Sequence, residues 1–103
     1  MTQTMREQTE LKLDAEFLGR FPEGDLKYVR VGDDFRFTLS MYDHSSLVDA
    51  DERPISAGFV WYGPNRVTVP QIESMTLRLY PRPEDQELLR AVFQEAYRRK
   101  AEL

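Results

Sequence analysis

The residue types able to do chemistry are few in this chain, and most stand apart. The only histidine, His44, lies in Asp43-His44-Ser45-Ser46, which holds the three residue types of a nucleophilic triad. A working triad is a spatial arrangement in which the base reaches the nucleophile and a carboxylate orients the base; consecutive side chains of one loop do not make it. No glycine-rich element adjoins to supply an oxyanion hole, so no catalytic residue is expected. Asp49, Asp51 and Glu52 could offer oxygens to a hard cation. The glycine and the distal glutamate of a calcium-binding loop are missing, however, and Arg53 follows directly, so the spacing predicts a solvated acidic loop and no metal site. The five glycines are scattered singly, which leaves no phosphate loop or dinucleotide motif. The absence of cysteine removes disulfides, thiolate zinc sites and a thiol nucleophile. No cofactor is expected.

The elements that must position these residues read mainly as strands. Leu11, Leu13, Ala15 and Phe17 alternate with Lys12, Asp14 and Glu16, the period of a half-buried strand. Residues 21–25 are dense in turn formers. Residues 26–31 and 35–42 are two extended runs joined by Gly32-Asp33-Asp34, a connection short enough to force an antiparallel hairpin. Residues 43–54 then form a loop long for a compact domain. A second hairpin follows, 57–62 with 66–69 around Gly63-Pro64-Asn65, and Met75, Leu77 and Leu79 alternate as a last strand ended by Pro81.

From Pro83 the period becomes helical, with Leu88, Leu89, Val92, Phe93, Ala96 and Tyr97 on one face. Glu84, Asp85 and Glu87 suit the positive end of that helix dipole, and Arg98, Arg99 and Lys100 the negative end. The expected fold is α+β: an antiparallel sheet of about five or six strands, two hairpins plus flanking strands, with one C-terminal amphipathic helix packed on one face. Residues 10–103 form the single domain, and residues 1–9 a flexible N-terminus. Helix over residues 6–18 is the alternative to the first strand.

Read by face, the strands offer one further constellation. If Phe35, Phe37, Leu39 and Met41 pack under the helix, the opposite parity carries Arg36, Tyr42, Tyr62, Arg66, Arg78 and Tyr80, together with Thr38, Val60 and Thr68. Arginine and tyrosine dominate binding hot spots because each gives large contact area and directed donors. Strands also favour tyrosine, threonine and valine for reasons of packing alone. Trp61 shares the parity of Ala57 and Phe59 and is expected in the core. Ala57–Tyr62 has some of the aromatic alternation of a base-stacking strand, but no basic residue precedes its glycine and no helix separates the early strands.

The chain has 103 residues, 41% hydrophobic and 31% charged, which is the composition of one globular domain. No window approaches the roughly 20 apolar residues of a bilayer span. The first ten residues hold no apolar signal-peptide core, so the expected location is cytoplasmic. A net charge of −4 counts against general adhesion to nucleic acid or anionic membrane. The expectation is a non-enzymatic module that binds another protein through the Arg/Tyr face or through the 43–54 loop with His44, Asp49 and Asp51. The alternatives are RNA binding by that same face, and a small-molecule binding protein or enzyme with a pocket between sheet and helix. An exposed strand edge could pair two copies as a homodimer.

Overall fold

The computed structural model describes residues 4–103. Helix α1 (Met5–Thr9) leads into β1 (Glu10–Leu11), then come α2 (Ala15–Arg20), β2 (Gly24–Val31), β3 (Asp34–Thr38), a 3₁₀ turn (His44–Leu47), β4 (Ser56–Gly63), β5 (Arg66–Thr68) and α3 (Asp85–Ala101). The fold is α+β. Its sheet is antiparallel in the order β1-β3-β2-β4-β5; because β1 supplies only two residues, β2 to β5 are the four strands of the sheet proper. The expected count of five or six is reached, at its lower bound, only when the two-residue β1 is included.

Two of the expected strands do not form over their expected ranges. Over residues 11–17 the alternation is interrupted by Asp14, whose side chain accepts the Phe17 N–H at 2.9 Å and caps α2. Local capping turns Leu18, which the alternation left off the inward set, into the core, where Leu11, Leu13 and Phe17 pack partly buried against it. Residues 75–79 form a tight loop closed by a bridge between Ser74 and Leu79, with Arg78 at φ 55°. Leu77 and Leu79 still point inward, so their alternation reports one buried side without reporting a sheet ladder. Of the segment expected to be flexible, residues 1–3 lie outside the described residues. From Met5 it is the turn of α1, capped by Thr4 and buried at Thr9.

Both hairpins form. Gly32 takes φ 61° at the first of two turn residues, the conformation that tight turns matching strand twist demand. Register places Tyr28 opposite both Phe37 and Gly58, and Leu26 opposite Val60, so these residues share the face beneath α3. The core there joins Leu26, Tyr28, Phe37, Val60, Tyr62 and Val67 to Leu18, Leu89 and Phe93. Phe93 stacks on Tyr62 at 4.9 Å and meets Phe37 edge-on at 5.7 Å. Leu88, expected on the buried face, is exposed, whereas Asp85 is buried. The other sheet face is covered too, in part: Val29 and Ala57 pack on Leu47 of the 3₁₀ turn and on Leu77 and Leu79.

The start of α3 is tied to the sheet by a fully buried carboxylate. Asp85, 0% exposed, accepts at Oδ2 from Tyr28 Oη (2.7 Å), Ser56 Oγ (2.6 Å) and the Arg82 N–H (2.9 Å), and at Oδ1 from Arg30 (3.1 Å). Burial and the bond to Asp85 push the Tyr28 phenol far above its ordinary pKa, so it stays a donor. The Cβ of an alanine at Gly58 would stand 2.7 Å from Pro81 Cγ, which shows how closely the lead-in to α3 lies on β4.

Asp85→Ala leaves Arg30, Tyr28 and Ser56 without their acceptor and is expected to cost about 3–5 kcal/mol, lowering the melting point by about 15 °C or more. Gly58→Ala is expected to cost about 1–3 kcal/mol through overpacking. Thermal and urea unfolding read both; a loss below about 1 kcal/mol for Asp85→Ala would show that water takes the place of the carboxylate as acceptor.

Candidate functional site

The six Arg/Tyr residues expected on one face do not share it. Tyr62 lies beneath α3, 2% exposed, stacked on Phe93 and donating to the Phe21 carbonyl at 3.0 Å; burial pushes its phenol up to about 12. Val60 lies there with it, so the parity of β4 is the reverse of that expected, and Trp61 turns outward at 42% exposure. Arg36 and Thr38 do point to the opposite face, but both are buried. Arg66 is exposed on β5 and shares an open groove of about 430 Å³ with Trp61, Glu23, Gly24 and Asp25. Arg78 and Tyr80 are exposed on the loop before α3, and Tyr42 lies beyond the end of β3.

The 43–54 loop is held down by its own polar residues. Arg36 donates to both Glu52 carboxylate oxygens at 2.6 Å and to the Leu47 carbonyl at 2.8 Å. Its guanidinium, with the Asp49 N–H, holds the Glu52 carboxyl down at about 2. Asp49 pairs with Arg6 at 3.3 Å, and Asp51 faces outward. Among the described residues no three His, Asp or Glu side chains come together to hold a metal ion.

His44 is buried, its Nε2 2.7 Å from the Gly58 carbonyl and its ring edge-on to Phe59 at 5.2 Å. Neutral imidazole with the proton on Nε2 donates this bond. Burial lowers its pKa and Lys27 adds repulsion, outweighing the Gly58 bond and the Asp43 charge. Neither Ser45 nor Ser46 bonds to the ring: Ser46 Oγ donates to the Asp43 carbonyl and accepts from Thr9 Oγ1, and the Ser45 N–H donates to Thr76 Oγ1. The triad-like residues are spent on holding the loop.

Above this anchored loop the surface is apolar in a way the alternation did not indicate. Met41 was placed by parity in the core, but β3 ends at Thr38, and Met41 is 76% exposed. It lines a groove of about 370 Å³ with Met5, Tyr42, Asp43, Ser45, Ser46 and Val48. Met5 is 60% exposed. Met75, 78% exposed, sits next to Thr76, which the Ser45 backbone touches at 3.3 Å. Met5 and Met41 therefore share one groove at the 3₁₀ turn, and Met75 belongs to the loop whose Thr76 touches that turn. A second apolar groove, about 480 Å³, runs between residues 12–14 and α3, along Leu13, Val92 and Ala96. No described helix is long and apolar enough to cross a membrane.

Comparison with protein-family models, with curated proteins and with solved structures finds no match for this chain.

His44 gives the loop a pH dependence of defined sign. Its folded pKa lies below the ordinary 6.5, so on acidification the unfolded chain binds the proton first and stability is lost from about pH 6.5 downward. His44→Gln keeps a donor for Gly58 without titrating. Urea unfolding between pH 7 and 5 is expected to show a shallower fall for the variant; parallel curves would mean that folded His44 titrates as it does in the unfolded chain.

Proposed function

We propose that this chain is a small non-enzymatic interaction module that takes an apolar segment of another protein against the surface formed by Met5, Met41 and Tyr42. The observation that carries this reading is the pairing of two strongly exposed methionines, Met5 and Met41, with Tyr42 in one groove. Isolated exposed apolar residues need no explanation, but a contiguous group marks an interaction site. Methionine suits that work because its unbranched, polarizable side chain adapts to different partners. The anchored loop supports the reading: Arg36, His44 and Ser46 fix the floor of the groove, so binding there orders few residues and costs little entropy. The setting is the cytoplasm, with which a cysteine-free chain is compatible.

A second reading, single-stranded nucleic acid stacked on Trp61, is favoured by the exposure of that indole near Arg66 and by Lys27 standing 5.8 Å from the centre of the neighbouring Phe59 ring. Asp25, directly opposite Trp61, and Glu23 in the same groove repel phosphate and place it second.

Affinity capture with wild type, Met5→Asp and Met41→Asp tests the first reading. A partner retained stoichiometrically by wild type is expected to fall at least tenfold on either variant, while unfolding free energies stay within about 0.5 kcal/mol of wild type. A partner held equally by all three would overturn it. Loss of whatever is captured on nuclease treatment, with affinity falling steeply as salt rises, would move the weight to Trp61.

A further inference from the structure

The groove has a charge as well as an apolar wall, and the charge selects among apolar partners. Asp43 lines it at the N-cap of the 3₁₀ turn, yet its carboxylate makes no capping bond, because the residue is engaged through its backbone carbonyl by Ser46. Two arginines of the surrounding elements are committed elsewhere. Arg6, on the same α1 as Met5, is held by Glu10 at 2.6 Å and by Asp49 at 3.3 Å. Arg36 is buried in its two-oxygen pair with Glu52. Among the described residues Asp43 is thus the one charged residue lining the groove, an exposed and unpaired carboxylate beside Met41 and Tyr42.

We infer that the segment this groove takes carries a lysine or arginine close to its apolar anchor, with the anchor against Met5, Met41 and Tyr42 and the cation over Asp43. The inference rests on the protein-binding reading above and specifies its partner. At about 370 Å³ the groove is near the lower limit of ligand cavities, which fits side chains of a bound segment better than a large ligand. An acidic flank on the segment would meet like charge, so the groove discriminates by repulsion as well as by attraction. Because the pair forms at the surface, Asp43 contributes selectivity more than affinity.

The test is selection from a random peptide library displayed on phage, run in parallel on wild type, Asp43→Asn and Met41→Asp, followed by titration of the enriched peptides. Wild type is expected to enrich peptides with an apolar residue and a Lys or Arg at fixed spacing. Asp43→Asn is expected to keep the apolar requirement, lose the basic one and bind the original peptides about two- to fivefold more weakly. Met41→Asp is expected to enrich none of them. Peptides that depend on Met41 but show no basic residue, or a basic preference that survives Asp43→Asn, overturn the inference and leave the protein-binding reading standing. Selection that is indifferent to Met41→Asp or enriches nothing overturns both, as does self-association of wild type that Met41→Asp abolishes, since a second copy would then occupy the groove.

Discussion

The Asp85 carboxylate is the interaction on which the rest of the arrangement depends. It is buried without access to water, and such a charge is tolerated only when its lone pairs are filled. Here they are filled by two strands and by the turn ahead of α3: Tyr28 and Arg30 from β2, Ser56 from β4, and the Arg82 N–H. Those donors come together only when β2 and β4 are paired in register and α3 begins where it does. The bond set thereby fixes the rotation of α3, which decides that Leu89 and Phe93 face the sheet while Leu88 does not. Gly58, opposite Tyr28, completes the arrangement by leaving room for Pro81.

On the other sheet face the same principle operates at lower density. Arg36 and His44 each reach a backbone carbonyl, Leu47 and Gly58 respectively, and so tie a long connection to the strands at points where an apolar contact alone would allow sliding. The apolar group beneath is small, Val29, Leu47 and Ala57 with partly buried neighbours, so directed bonds carry much of the positioning. What lies outward of that cover is consequently a rigid platform, and its methionines are the flexible part.

The hairpin at Gly32 and the C-terminal helix were legible because each has a signal without a competitor: a forced tight turn, and a 3.6 period with acidic and basic ends. Glu95 does engage Arg98 and Arg99 as its spacing suggests. The orientation of β4 was not legible, since Ala57, Phe59 and Trp61 are as apolar as Val60 and Tyr62; a strand covered on both faces carries no polar side to fix its parity. In β3, where Arg36 alternates with Phe35 and Phe37, the parity was correct but its consequence was not, because Glu52 and the Leu47 carbonyl come from a distant segment to bury the guanidinium. Of the candidate site, Tyr42 and the 43–54 loop were in view. Met5 and Met41 were not, one assigned to a flexible terminus and the other to a strand that stops three residues earlier.

The clustering of methionines also bears on oxidation chemistry. A chain without cysteine keeps all its sulfur in thioethers, and three of the four here stand in solvent, two of them in one groove. A hydroperoxide that reached the protein would transfer an oxygen to these side chains, leaving water or an alcohol, and would turn soft apolar groups into polar, chiral sulfoxides. The core beneath holds no sulfur among its clustered side chains, so the damage would be confined to the exposed surface and the fold would survive it. Because sulfoxides can be enzymatically reduced, such a surface can be restored without making the protein anew.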